Sequence, residues 1–223
     1  MEKTYSHKYD DKKGIVVTKL NHENNLSKWK GALFLDRDGV VIEEKHYLSC
    51  PNKVQLISGS ANIIRKASRN GWHVAMITNQ SGIAREYFNI DEYIQVTERM
   101  LLLLAAEDSY VHMITACPFH KYGKRADFTH YNHPMRKPNP GMIEFIAKEI
   151  CLEQNSGSIL VGDKISDLEA GINYGIDTVV HVFTGHGRTH RKFIEQKFKD
   201  CREELLLIDS IADLSTFKDF GIS

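Results

Sequence analysis

Short runs of apolar residues alternate along this chain with longer stretches whose apolar positions recur every three to four residues. Ala32 to Leu35, Trp72 to Ile77, Val111 to Ala116, Ser158 to Gly162 and Thr178 to Phe183 are short, largely apolar runs that read as buried strands, and Glu204 to Ile208 adds an edge strand. Between them the helical period appears. A helix starts at Ser60 and runs to Asn70-Gly71, with the serine as its cap. Asp91 to about Glu107 carries Ile94, Thr97, Leu101 and Leu104 on one face, widened by Tyr93, Val96, Met100 and Leu103. Pro140 opens a helix to about Leu152, Ser166 or Asp167 starts another, and Ile211 begins a terminal one.

Strand and helix in strict alternation predict an α/β fold, a doubly wound Rossmann-like parallel sheet covered on both faces. Two regions stand outside this pattern. Residues 1–30 are polar and poorly periodic, except for Gly14 to Val17, which reads as a short extra strand; they are taken as an N-terminal extension to a domain of residues 31–223. Residues 117–138 form the one long connection without a helical or strand period, and connections of that length usually serve the site.

The strand at Ala32 ends in Asp36-Arg37-Asp38-Gly39. In extended chain, positions i and i+2 share a face, so both carboxylates are expected to converge beyond the strand's C-terminal end, where open parallel sheets bind ligands. Two carboxylates that close either share a proton or hold a divalent cation. A calcium loop would need an oxygen ligand and a glycine where Val40 and Val41 stand, and a plain turn after a strand is the ordinary alternative. The later strand ends carry further polar groups: Thr78 with Asn79, Ser81 and Gly82; Lys137 beside Arg136 in a rigid Pro-Asn-Pro-Gly turn; and Asp163 followed by Asp167. Each alone has a bland explanation as a cap or a solvated charge. All of them in this order point to chemistry on a phosphate.

Taken together, Asp36-Arg37-Asp38-Gly39, Thr78-Asn79-Gln80-Ser81-Gly82, Arg136-Lys137-Pro138 and Gly162-Asp163-Lys164 with Asp167 resemble the four motifs of the haloacid dehalogenase superfamily, from about Gly31 to Gly187. The fuller strings are similar to its branch of heptose bisphosphate and histidinol phosphate phosphatases. The resemblance implies an HAD-like domain without a large cap, its site roofed by loops. It implies Asp36 as nucleophile, Asp38 as acid and base, Thr78 and Lys137 on the phosphoryl oxygens, and magnesium held by Asp36, Asp38 (through its backbone carbonyl) and Asp163. Asn79, Ser81, Gly82, Arg85 and Arg136 lie toward substrate, with Arg136 suited to a second phosphate. The implied activity is removal of the 7-phosphate of D-glycero-D-manno-heptose 1,7-bisphosphate, feeding lipopolysaccharide synthesis. Histidinol phosphate, a nucleic-acid 3′-phosphate and a non-catalytic phosphosugar-binding subunit are the alternatives.

The branch usually builds a structural zinc site in the loop after the third strand, and here that pattern is broken. Only Cys117 keeps its place; Phe119 stands at the usual histidine and His133 and Met135 at the usual cysteines. A substitute set of Cys117, His120, His130 and His133 remains conceivable on spacing. A second departure is Glu86, where the branch has glycine.

Composition narrows the setting. Among 223 residues, Lys+Arg and Asp+Glu are equal at 29 each, which gives no pull toward nucleic acid or membrane. The cysteines (Cys50, Cys117, Cys151, Cys201) are scattered, no signal segment is evident, and no apolar run nears the ~20 residues of a membrane span. A cytoplasmic monomer acting on a small phosphorylated sugar is the expectation.

Overall fold

In a computed structural model of the chain, residues 4–21, 29–153, 156–199 and 204–217 are described. They form one eight-stranded sheet in the order β1-β2-β5-β4-β3-β6-β7-β8. Six strands are parallel: β3 (Gly31–Leu35), β4 (Trp72–Asn79), β5 (Met113–Cys117), β6 (Ile159–Gly162), β7 (Thr178–Val182) and β8 (Glu204–Ile208). Central β3 is buried along its whole length, and its alternate side chains enter two different cores. Leu33 and Leu35 join a cluster with α1 (Ser60–Arg69) and α3 (Ile90–Ala106), whereas Ala32 and Phe34 pack with α4 (Gly141–Glu149), α5 (Ile165–Tyr174) and α6 (Gly187–Lys197). The period of two thus divides the helices between the faces of the sheet.

The first excursion of the chain runs from β3 outward to β4 and β5; the next returns to the other side of β3, to β6. The order reverses at the β3–β6 boundary, and the crevice above such a reversal is where sheets of this kind take ligands. Asp36 follows β3 and Asp163 follows β6. Among the described residues, no helix is long and apolar enough to cross a membrane.

The expectation of a wholly parallel sheet needs one correction. Residues 4–21 are a hairpin, β1 (Thr4–Asp10) and β2 (Ile15–Asn21), and β2 continues the sheet antiparallel to β5, with Val16 opposite Ala116 and Lys19 opposite Met113. The strand foreseen near Gly14 is the start of β2. Its partner β1 escaped notice because an edge strand needs few apolar residues: only intermediate and exposed positions occur along it. The turn is set by Asp10, whose Oδ1 accepts from the amides of Lys12 and Lys13, and by Gly14 at φ 68°.

Helix starts differ in detail from the sequence reading. Gly59, not Ser60, occupies the cap of α1, and the Ser60 hydroxyl is buried without a partner. Asn89 caps α3 in a reciprocal pair with Glu92. Asp167 sits in the first turn of α5 and accepts from the Lys164 amide at 2.9 Å. A 3-10 turn, Ile211–Thr216, stands at the foreseen terminal helix, whose continuation falls outside the described residues. Cys50, Cys117 and Cys151 are free; Cys201 lies outside the described residues.

Candidate active site

The centre of the site is a buried ammonium shared by two carboxylates. Lys137 Nζ donates to Asp36 Oδ1 at 2.8 Å and to the Ile77 carbonyl at 2.8 Å, and pairs with Asp167 Oδ1 at 2.7 Å, so all three of its protons are used. Burial alone would lower its pKa, but Asp167 and Asp36 outweigh that and hold it above the usual lysine range. Asn79 fixes the backbone there: its side chain donates to the Lys137 carbonyl at 3.0 Å and accepts from the Lys137 amide at 3.1 Å. One side chain from β4 therefore aims the lysine of a distant loop into the end of the sheet.

Asp163 completes the cluster. Carboxylate oxygens of Asp36, Asp163 and Asp167 lie within 4.8 Å of one another, the one such group of three found among the described residues. Asp163 Oδ2 accepts from the His186 amide at 2.7 Å, but Oδ1, fully buried, has no hydrogen-bond partner and only Lys164 Nζ at 3.7 Å. Gly39 and Gly185 press on this carboxylate so closely that a Cβ on either would stand 2.4 Å from Oδ2. Burial, then repulsion from Asp36, pushes the Asp163 carboxyl up to about 8; burial, only partly offset by Lys137, pushes Asp36 up to about 6. An unsatisfied carboxylate oxygen in an all-oxygen cluster with excess negative charge suits a hard divalent cation, so the residues fit magnesium.

Asp38 is not one of the three residues whose carboxylates gather within 4.8 Å. Its carboxylate is gripped by Arg37 through Nε and Nη2, each at 3.0 Å, and accepts from Gln80 Nε2 at 2.9 Å. Burial would raise its pKa; Arg37 and these hydrogen bonds win and hold it below the usual carboxylate range. The side chain of Arg37 is buried and lies over the Tyr93 ring, 5.3 Å from its centroid. Strand alternation would put Arg37 on the far side from both aspartates, but the strand ends at Leu35 and the chain turns from Arg37, whose carbonyl accepts from the Val41 and Ile42 amides. Asp38 still lines the same cavity, as do Thr78, Asn79, Ser81 and Gly82. Gln80 also donates to the Thr78 hydroxyl at 2.8 Å.

The cavity has a volume of about 270 Å³. Glu44, His46, Tyr47, Phe88, Lys164 and His186 line it as well, and none of these was singled out from the sequence. Lys164 was visible as part of its motif; the others come from loops whose paths no periodicity announces. Arg85 and Arg136 do not line the cavity, contrary to expectation for residues facing substrate. Arg136 Nη1 donates to the Phe119 carbonyl at 2.8 Å, and Arg85 Nη2 stands 3.2 Å from His120 Nε2, with its buried Nε unpartnered. Burial, and then repulsion from Arg85, holds Arg136 below its ordinary value. Glu86 has φ 60°, the left-handed conformation in which glycine is at ease.

The substitute zinc set is not assembled. No three of Cys117, His120, His130 and His133 bring ligand atoms within 4.8 Å of one another. The His133 ring stacks on Phe119 at 3.9 Å and 8°, while His120 faces Arg85. Aromatic packing has taken the ground that ligands would need: Phe119 and Tyr9 both meet Phe128 edge-on, at 5.6 and 5.8 Å. The Cys117 thiol is buried at the end of β5, which pushes its pKa up to about 11.

An acid cluster at the reversal point of a doubly wound sheet, with a lysine bridging two of its members, defines a hydrolase of the HAD-like class. The family described as HAD-hydrolase-like matches residues 134–214. A D-glycero-β-D-manno-heptose-1,7-bisphosphate 7-phosphatase of Pasteurella multocida is 36% identical over 185 residues, 83% of this chain and 95% of that one. Its namesake from Mesorhizobium japonicum is 41% identical over 145 residues, 65% of this chain and 66% of the relative. The crystal structure of D,D-heptose 1,7-bisphosphate phosphatase from B. bronchiseptica, complexed with magnesium and phosphate, is 28% identical with a TM-score of 0.70, covering 83% of this chain and 96% of that one. The chain belongs to the heptose-bisphosphate phosphatase family of the HAD-like hydrolases.

Proposed function

We propose that the chain is a magnesium-dependent phosphomonoester hydrolase that removes the 7-phosphate of D-glycero-D-manno-heptose 1,7-bisphosphate in the cytoplasm, acting as a monomer without nucleic acid or membrane. The observation that carries this reading is the pairing of Asp36 with Lys137 at 2.8 Å beside the unsatisfied Oδ1 of Asp163. Lys137 occupies Oδ1 of Asp36 and leaves Oδ2 to attack phosphorus. The bond from phosphorus to the sugar oxygen breaks, the phosphoryl group passes to Asp36, and water then cleaves the aspartyl phosphate. Thr78 holds a phosphoryl oxygen, and Lys137, whose protons are already engaged, acts through its charge as negative charge spreads onto the phosphoryl group. Asp36 and Asp163, with the Asp38 carbonyl, would hold magnesium, whose charge offsets that of nucleophile and phosphate. Asp167 keeps Lys137 in place.

Asp38, held ionised by Arg37 and Gln80, is ready to accept the proton of the attacking water. To protonate the leaving oxygen in the first step, Asp38 must first come off Arg37 and take up a proton from solvent, which the attacking water restores to it in the second step. The relatives' names and the magnesium and phosphate complex support the substrate class. Asn79, Ser81 and Gly82 face the phosphoryl end, and Arg85 with Arg136 forms a cationic pair suited to the second phosphate at the far end of the sugar.

The test is kcat/KM over a panel holding both heptose bisphosphate anomers and histidinol phosphate, with Asp36→Asn beside the wild type. We expect a bisphosphate to rank first and the variant to lose about 10⁴-fold in kcat. Activity untouched by Asp36→Asn, or histidinol phosphate ranking first, would overturn the assignment.

A further inference from the structure

Of the five non-glycine residues at positive φ among those described, His46 (31°) and Tyr47 (58°) line the cavity and Glu86 (60°) precedes Tyr87, whereas Asp108 and Cys151 do not line it. Bulky side chains persist in this conformation only where their surroundings impose it, and such positions concentrate at functional sites. Nothing in the acid chemistry requires these three. Their effect is to present an aromatic wall. Tyr47 lines the cavity and packs on the cluster of Ile83, Ala84 and Phe88. Tyr87, delivered by Glu86, lies against Tyr47 with ring centroids 4.3 Å apart at 43°, and is 53% exposed.

Tyr47 and Asp36 line one cavity, so the Tyr47 ring is among the surfaces open to the leaving group of an ester bound at Asp36.

We propose that Tyr47, braced by Tyr87, determines specificity for the leaving group: it takes the hydrocarbon face of a ring-closed sugar and so discriminates against short acyclic phosphate esters. This rests on the phosphatase reading above, and deepens it. The recognition is between an aromatic face and C–H groups, which an acyclic three-carbon ester cannot cover.

Glucose 6-phosphate and glycerol 3-phosphate are suitable probes, because neither carries a second phosphate for Arg136. Their kcat/KM values are measured for wild type, Tyr47→Gly, Tyr47→Phe and Tyr87→Ala, and their Kd values by calorimetry with magnesium in the Asp36→Asn background. Glycine is at ease at φ 58°, so Tyr47→Gly should keep the thermal midpoint while the ring-to-acyclic ratio falls about tenfold, mainly through KM. Tyr47→Phe keeps the face and should hold the ratio within about threefold; Tyr87→Ala should fall between. A ratio unchanged in Tyr47→Gly, or equal loss on both esters, would overturn the proposal. An inert wild type whose binding ratio still depends on Tyr47 would sink the phosphatase reading alone.

Discussion

Arg136 and Lys137 are neighbours in sequence but belong to two regions built on opposite principles. Lys137 enters a cluster of buried charges, where its partners are Asp36 after β3, the Ile77 carbonyl of β4 and Asp167 in the first turn of α5, and position is set by contacts of 2.7 to 2.8 Å. Arg136 belongs to the loop of residues 117–138, which is held by aromatic faces: Phe119 on His133, Phe128 against both Phe119 and Tyr9. The charged region tolerates little, because a buried ion without its partner is far more costly than a missing contact. The aromatic region is more forgiving, since non-directional packing degrades by degrees. Chemistry and framework are thus divided at a single peptide bond.

That contrast can be broken most severely at the lysine. Lys137→Met strands Asp36 and Asp167 without a counter-charge, and should lower stability by about 3–5 kcal/mol and abolish turnover. Urea unfolding in EDTA reads the first effect; a loss under 1 kcal/mol would mean the ammonium is not the keystone assigned here. Phe119→Ala removes a half-buried ring from the loop and should cost about 2 kcal/mol, with turnover of a small phosphate ester within about threefold. A collapse of that turnover would show the two regions to be one unit.

The smallest effect is one of pH. Burial raises the folded-state pKa of Asp163 to about 8, above that of an unfolded aspartate, so the folded protein binds the extra proton and stability falls as pH rises toward 8. Buried His73 and His181, lowered to about 3 and 4, act the other way but only below about pH 6.5, where an unfolded histidine protonates. In EDTA the thermal midpoint should therefore drop by a few degrees between pH 6.5 and 8. Magnesium should remove the drop, since it takes over the oxygens that the proton would occupy. A midpoint flat in EDTA would contradict the charge imbalance at Asp163.

The same division explains what could be read in advance. Asp36, Thr78 and Asp163 are legible because a strand's apolar run ends at each, and a sheet gathers its strand ends in one place. Arg37 is not legible: alternation places it opposite Asp36 and Asp38, and the turn that begins at Arg37 ends that alternation and leaves it gripping Asp38. Tyr47 and His46 lie in a connector whose left-handed backbone no residue type announces. The hairpin was half visible, through Ile15 to Val17, because β2 is buried and apolar whereas β1, with one neighbour, is under no such demand. The substitute zinc ligands are not drawn together, because spacing records which ligands exist and not which ring already occupies the space.

That hairpin also decides how the sheet meets its surroundings. Without it β5 would be the margin, a strand buried throughout and apolar but for Thr115, with one row of amides and carbonyls unpaired. With it the outermost strand is β1, which carries Thr4, Ser6, His7, Lys8 and Asp10, a poor template for strand addition by another chain. A protein lacking residues 1–21 should be prone to self-association through that exposed ladder, so these residues act as a guard against aggregation.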